Sequence, residues 1–350
     1  MIKYIGSKRR LVPQIVELIS SLGNANTVLD LFSGTARVGH ALKRAGYCVT
    51  ANDHNAYAHV LGRCYVEADR CKILSKVETV LDDLRRAPRR AAWFTDTYCV
   101  RSRYFQPKNG ERIEGMREAI VTMGLDPIVE AVALTSLMEA ADRVDSTVGL
   151  QMAYLKSWAA RAHNELELRV PELLDGPGRA TCLDAALAVR QGGYDVVYLD
   201  PPYNQHKYRN NYHVWESLVR WDAPEVYGRA CKRVDCKSYD SPFNSKRRIG
   251  AAFAELVTSI DARFLVVSFN DEGYLSRDAL EQLLGETGHV SVHTHESRRY
   301  VGAKIGIYNP GGEKVGKVGR LHNHEHLFVV DRSQKRNDRT HVGVHPAASA

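Results

Sequence analysis

The sequence predicts an α/β protein: a sheet with helices on both faces, carrying an inserted, mostly helical domain. Three observations predict it. Short apolar runs of strand composition recur at Thr27–Phe32, Tyr47–Ala51 and Tyr194–Leu199. The first two are joined by a glycine-containing turn and a helix-length stretch, Val38–Gly46. Between the second and third lies a long segment whose apolar residues recur at helical spacing.

Taken in order, residues 1–65 read as the first part of the α/β domain. Thr27-Val28-Leu29-Asp30-Leu31-Phe32 is a buried strand and Ser33-Gly34-Thr35 a turn. The following helix ends on a glycine cap at Gly46, and Tyr47–Ala51 forms a second strand ending at Asn52-Asp53. Residues 66–175 form the helical insert. Arg85, Arg86, Arg89 and Arg90 cluster there, followed by Arg101, Arg103, Lys108 and Arg112. Trp93, Phe94, Tyr98, Tyr104 and Phe105 are interleaved with them. Arginines among aromatics can grip phosphates and stack on bases. A solvated helix face over buried rings accounts for the same residues. Ile128–Ala141 is apolar at helical spacing and reads as core. Residues 176–330 return to α/β, with strands at Asp195–Leu199, Phe264–Phe269 and His326–Val330. Asp331–Ala350 is polar, rich in small residues and without periodicity, so a disordered tail is expected.

Bulk properties narrow the class. Of 350 residues, 44% are hydrophobic, enough for a sizeable core. The net charge of +7 favours a polyanionic partner without specifying one. The chain opens Met1-Ile2-Lys3-Tyr4 with no apolar signal core, and no run suits a bilayer. A cytoplasmic location follows by default. The seven cysteines are scattered without a Cys-x-x-Cys pair, which fits reduced thiols rather than a zinc ribbon or disulfide framework.

Two segments carry chemistry. Asp200-Pro201-Pro202-Tyr203 directly follows a strand, at the edge where open α/β sheets bind ligands. The prolines donate no N–H and fix their own φ. The stiff turn can therefore aim Asp200 and the Pro201 carbonyl at one point beside the Tyr203 ring, which suits a planar group bearing an NH2. Asp30 to Gly39 places glycines where a strand turns into a helix. It lacks both the dinucleotide pattern and the Gly-Lys-Ser/Thr of a P-loop. Asp53 stands about 20 residues past the turn, where a carboxylate commonly meets ribose hydroxyls. Adenosine with an amino-acid tail fits that combination.

Together these segments resemble the D12 class of DNA adenine methylases, amino-group methyltransferases that use S-adenosylmethionine. Lys3-Tyr4-Ile5-Gly6-Ser7-Lys8 resembles the N-terminal motif at the cofactor's methionine end. Asp30–Gly39 is similar to the glycine-rich cofactor motif, with Ser-Gly-Thr-Ala in place of the common Gly-x-Gly. Asp53 matches the ribose carboxylate, and Thr181-Cys182-Leu183-Asp184 the short motif whose Asp lies near adenine. Asp200–Tyr203 matches the catalytic motif, and Val266–Asn270 resembles a later strand of the same fold. The motif order is the α arrangement, with a target-recognition domain between cofactor and catalytic motifs.

The resemblance implies a Rossmann-like methyltransferase sheet and these site residues. Asp200, Pro201, Pro202 and Tyr203 are catalytic. Lys3, Tyr4, Gly6, Lys8, Asp30, Phe32, Ser33, Gly34, Thr35, Val38, Asp53, Asp184 and Asp200 bind the cofactor. Arg85, Arg86, Arg89, Arg90, Arg101, Arg103, Lys108, Lys207 and Arg209 face double-stranded DNA. Asp200 and the Pro201 carbonyl would accept the two N–H bonds of a flipped base's amino group, with Tyr203 stacked on the base. No metal is needed, and a cognate restriction endonuclease is a candidate partner. Adenine N6 is favoured because the motif begins with Asp, and cytosine N4 is the alternative. An RNA or glutamine methylase, or a non-catalytic DNA-binding protein on the same fold, are the rival classes.

Other segments stay open. Tyr203–His213 reads as a loop over the base or the DNA backbone, or as plain solvated chain. Lys246-Arg247-Arg248 suits phosphate or an ordinary surface. His322, His324 and His326 alternate as on a strand face, with no known metal-ligand pattern. The glycine-rich stretch from Gly302 to Gly319 suggests a hairpin loop reaching towards DNA.

Overall fold

The computed structural model describes residues 1–152, 157–298 and 322–333. Among them nine strands form. They are β1 Thr27–Asp30, β2 Cys48–Asn52, β3 Arg179–Thr181, β4 Tyr194–Leu199, β5 Val226–Tyr227, β6 Lys232–Arg233, β7 Ala262–Asn270, β8 His289–Arg298 and β9 His322–Asp331. Seven make one sheet in the order β3-β2-β1-β4-β7-β9-β8, and β5 with β6 makes a small separate ribbon. From β3 to β7 every pairing is parallel. β9 enters antiparallel between β7 and β8.

The central strands are near-continuously apolar because both faces are covered. Val28, Tyr198 and Val266 face one layer, which holds α1 (Val12–Ser21), α2 (Arg37–Arg44) and α3 (Ala56–Gly62). Leu29, Val197 and Leu265 face the other. Two further helices close that side through Phe253, Val257, Leu280 and Leu284, within Ile249–Ser259 and Arg277–Gly285.

The inserted segment supplies α4 (Arg70–Arg86), α5 (Pro107–Met123) and α6 (Pro127–Val144). Its aromatics point inward: Phe94, Tyr98, Tyr104 and Phe105 are buried in the same cluster as Val28 and Tyr198. α6 follows the apolar spacing of Ile128–Ala141 and is capped by Asp126, whose carboxylate accepts from the Ile128 N–H at 3.0 Å.

Some expectations change. Tyr203–His213 is only in part a loop. Tyr208–Asn211 is helical, and a further helix runs His213–Arg220, burying Tyr212 and His213. His213 bonds the Gln151 carbonyl at 2.8 Å, and burial drives its pKa down to about 3. β3 is too short and β8 too polar to announce themselves by period. β8 is an edge strand with mostly exposed side chains. The expected hairpin over Gly302–Gly319, and the tail from residue 334 onward, lie outside the described residues.

Candidate active site

β2, β1 and β4 are neighbours, so their C-terminal ends carry Asn52-Asp53, Asp30 and Asp200 to one edge of the sheet. This is where the connections part to opposite faces, the usual ligand crevice of open α/β sheets. A cleft of about 740 Å³, open solvent included, lies there. Tyr4, Gly6, Lys8, Asp30, Phe32, Ser33, Gly34, Thr35, Val38, Asp53, Asp200 and Pro202 all line it.

The turn after β1 is held by the end of β2 and by the Asp53 side chain that follows it. Ser33 N–H donates to the Asn52 carbonyl at 2.9 Å, and Gly34 N–H to Asp53 Oδ2 at 3.0 Å. Gly34 has φ +54°, and a Cβ there would stand 3.4 Å from the Tyr4 ring. Asp30 acts inside the turn. Its Oδ2 accepts from Ser33 Oγ and Gly39 N–H, each at 3.0 Å, and it is 1% exposed. Burial raises its pKa to about 7 against those two hydrogen bonds. Asp30 therefore clamps strand to helix, a role the motif alone does not separate from ligand binding. Asp53 also accepts from Asn55 N–H and Nδ2 at 2.9 Å, yet keeps lone pairs for hydroxyls.

Two predicted cofactor residues are placed elsewhere. Lys3 turns into the insert, where its Nζ lies 2.7 Å from Asp145 Oδ1 and donates to the Asp142 carbonyl. Asp184 caps the short helix Ala185–Ala188 by accepting from Ala186 N–H at 2.9 Å. Neither lines the cleft.

Asp200 sits beside a cation. Lys8 Nζ lies 3.2 Å from Asp200 Oδ1 and 3.1 Å from Glu325 Oε2. Burial raises the Asp200 pKa to about 6. Lys8 opposes that shift and Glu325 adds to it. Burial alone would lower the Lys8 pKa, but Asp200, Tyr203 and Glu325 together hold it well above its ordinary value. Tyr203 is 7% exposed. Its ring packs on Phe269 at 5.0 Å, its hydroxyl accepts from Asn270 Nδ2 at 2.9 Å, and Lys8 Nζ stands 5.6 Å over the ring. Tyr203 thus belongs to the core beneath the site, with Lys8 against its remaining face.

Residues the sequence did not single out complete the walls. Tyr208 and Tyr4 stack with centroids 5.3 Å apart, and Tyr239 stacks on His54 at 5.1 Å. Arg209, expected at DNA, lies over the Tyr239 ring at 4.9 Å and lines the cleft. Lys207 donates to the Tyr239 carbonyl at 3.2 Å. Asn244 donates to the Asn204 carbonyl at 2.7 Å, tying the segment to the turn after β4. Only a spacing of two from Asp53 hints at Asn55. Nothing local marks Tyr239 or Asn244.

The basic residues of the insert carry partners. Arg85 pairs with Asp82, Arg86 with Asp83, Arg90 with Glu118 at 3.6 Å, and Arg89 and Lys108 with Glu165. Arg103 lies over the Trp158 ring at 5.0 Å, while Arg101 is exposed. Of the aromatics between them, Phe94, Tyr98, Tyr104 and Phe105 are core and offer no stacking platform, while Trp93 packs half-buried against the same cluster. His324 faces Asp271 at 3.4 Å and His326 faces Thr294 at 2.9 Å. Arg248 pairs with Asp240 at 2.6 Å, leaving Lys246 and Arg247 exposed.

The donor set fits a nucleoside with a polar tail. Ser7 Oγ, His54 Nε2 and Asn55 Oδ1 line the cleft, buried and without a hydrogen-bond partner in the protein. Buried polar groups of this kind call for a bonded ligand. Phe32, Tyr4 and Tyr239 supply flat apolar walls.

A Rossmann-like sheet with this cleft and an Asp-Pro-Pro-Tyr turn at the end of β4 defines the class of amino-group methyltransferases. The chain belongs to the D12 class N6 adenine-specific DNA methyltransferases, whose family model matches residues 4–283. It is 27% identical to the type II methyltransferase M.FokI of Planomicrobium okeanokoites over 99% of this chain and 56% of that protein. It is 29% identical to the type II methyltransferase M.NlaIII of Neisseria lactamica, over 85% of this chain and 92% of that one. It is 28% identical to the modification methylase StsI of Streptococcus sanguinis, over 81% and 46%. The chain therefore spans about half the length of M.FokI and StsI. Among the described residues no helix is long and apolar enough to cross a membrane.

Proposed function

We propose that the chain methylates the exocyclic N6 of adenine in a base flipped out of double-stranded DNA, with S-adenosylmethionine as donor. The observation that carries this reading is the position of Asp200, which lines the same cleft as the glycine turn and Asp53. Tyr4, Gly6, Phe32, Ser33, Gly34, Thr35, Val38 and Asp53 would hold the cofactor, which when bound supplies an electrophilic sulfonium methyl. The remaining chemistry belongs to this chain. An adenine amino nitrogen is a poor nucleophile because its lone pair is delocalised into the ring. Asp200 and the Pro201 carbonyl accept its N–H bonds and so favour a localised lone pair. An Asp200 pKa of about 6 makes it a better acceptor of the departing proton than an ordinary carboxylate. Most of the acceleration is positioning and electrostatics.

DNA contact is assigned to the basic residues of the insert together with Lys207 and Arg209. Exposed ion pairs such as Arg90–Glu118 are worth roughly 0–1 kcal/mol, so phosphates can displace the carboxylates. A cognate restriction endonuclease is proposed as partner on family membership alone.

The test is a calorimetric titration with S-adenosylmethionine, then transfer of its tritiated methyl to unmodified DNA. Saturable binding and label recovered as N6-methyladenine support the reading. No saturable binding sinks it, and N4-methylcytosine overturns the base assignment. Asp200→Ala should reduce transfer by roughly a thousandfold, the upper range for loss of one polar group aimed at a reacting centre, while cofactor binding persists. Retained activity would remove Asp200 from its role.

A further inference from the structure

Glu325 is marked by no motif and lies beyond the residues 4–283 matched by the family model. It enters through sheet order. β9 lies between β7 and β8, and its register sets Glu325 opposite Asn270. Asn270 Nδ2 bonds the Tyr203 hydroxyl at 2.9 Å and lies 3.5 Å from Glu325 Oε1. Glu325 Oε2 accepts from Lys8 Nζ at 3.1 Å. Lys8 in turn touches both groups assigned to the target base: the Asp200 carboxylate at 3.2 Å and the face of Tyr203.

Lys8 therefore occupies ground that a stacked base and its amino group need. A buried ammonium cannot leave one carboxylate without another to receive it, because an unpaired charge at 8% exposure is costly. We propose that Glu325 is a positioning residue that draws Lys8 away from Asp200 and the Tyr203 ring when the target base enters. The inference rests on the methyltransferase reading above. Glu325 acts through Lys8 and does not itself touch the base.

Without that second anion, Lys8 remains on Asp200 and competes with the substrate N–H for its lone pairs. The titratable and charged groups facing Asp200 are Lys8, Glu325, Tyr198, Tyr203, Tyr208 and Asp30. Glu325 is the carboxylate among them that raises the Asp200 pKa. Its neutralisation shifts the pH at which Asp200 becomes an acceptor downward.

The experiment compares wild type, E325Q and E325D in the full chain. It measures S-adenosylmethionine affinity by calorimetry, kcat and KM for duplex DNA from pH 5 to 9, and melting temperature. E325Q is expected to lose roughly tenfold in kcat, the scale on which orienting partners act. Cofactor affinity should be unchanged and the acid limb moved below its wild-type position. E325D keeps the charge and should recover part of kcat with the acid limb near wild type. If E325Q does not fold, E325D carries the test alone. In that case a lowered E325D kcat with an unmoved limb, wild-type cofactor affinity and wild-type melting temperature supports the proposal, and unchanged kcat and KM overturn it. Where E325Q folds, an unmoved acid limb overturns it whatever the kcat, as does a loss confined to melting temperature. A wild type that binds no cofactor or transfers no methyl overturns the methyltransferase reading itself, a result distinct from these.

Discussion

At the residue scale, the three strand-end carboxylates share a sheet edge but not a task. Asp200 and Asp53 line the cleft with acceptor capacity to spare, whereas Asp30 spends its Oδ2 on Ser33 and Gly39. The pKa of Asp30 stands near 7, above its ordinary 3.8. The folded state thus holds a proton that the unfolded chain has already released. Its contribution to stability is full below about pH 4 and is lost as pH rises through 7. Asp142 and Asp200, both near 6, share the lower part of that window, and burial raises Glu67 and Glu216 as well. Burial lowers the pKa of His40, His59 and His213, so these histidines pull the opposite way. The difference between two variants therefore isolates Asp30. Asp30→Asn keeps an oxygen for the Gly39 N–H and should flatten the fall in melting temperature between pH 6 and 7. Parallel curves for the variant and wild type would show that another group titrates there. Asp200, Asp53 and Gly34 were legible in sequence because each sits one or two residues past an apolar run. Glu325, Asn270 and Tyr239 were not, because only the pairing of β9 with β7 and the return of residues 239–244 over the cleft bring them in.

At the element scale, legibility follows length and burial. β4 and β7 are long and apolar, and α6 carries an unbroken helical period, so sequence locates all three. β3 has three residues and β8 an edge-strand pattern of Val, Ser, Thr and His, so neither shows a period. The insert's basic stretch left two readings open for a related reason. Its rings follow the turns of a packed helix layer, and composition cannot tell a buried ring from an offered one. Glycines sharpen the point, because helix propensity and packing predict opposite signs at different positions. In an open helix, Gly→Ala stabilises by about 1 kcal/mol. Gly115 within α5 is different: a Cβ there would lie 2.0 Å from the Pro88 carbonyl oxygen, which is backbone and cannot swing aside. Gly115→Ala should therefore lower stability by roughly 1–3 kcal/mol through overpacking. Gly285, at the end of the Arg277–Gly285 helix, meets nothing within 4 Å, and Gly285→Ala should be neutral or mildly stabilising. Urea denaturation of both variants checks the pair, and equal effects would show that the α5 contact with Pro88 does not constrain packing.

At the scale of the whole molecule, the sheet and the insert share one core. Val28 and Val266 of the sheet, Leu81 of α4, Ile113 of α5 and Leu137 of α6 lie in a single buried cluster. Polar ties run the same way. Arg117 of α5 donates to the Leu218 carbonyl at 2.8 Å, and Lys3 binds Asp142 and Asp145 across the join. Arg233, 2% exposed, is held by Asp222 at 2.7 Å and Asp235 at 3.0 Å beneath the same layer. Domains that unfold separately have their own cores and meet at small, polar interfaces. The described helices α4, α5 and α6 instead share their buried cluster with the sheet. The consequence is measurable through the cofactor. A ligand that binds only the folded state adds about 2.7 kcal/mol at a hundredfold excess over Kd, and that gain goes to whatever unfolds with the site. If insert and sheet unfold together, scanning calorimetry of the full chain gives one transition, and saturating S-adenosylmethionine moves all of it upward. An independent insert would instead give two transitions, of which the cofactor moves one. That second pattern would mean the shared apolar cluster does not couple the helices of the insert to the sheet. The first would mean that, under the DNA contacts proposed above, DNA at the insert and cofactor at the sheet edge stabilise one and the same folded body, so each raises the temperature at which the other's site is lost.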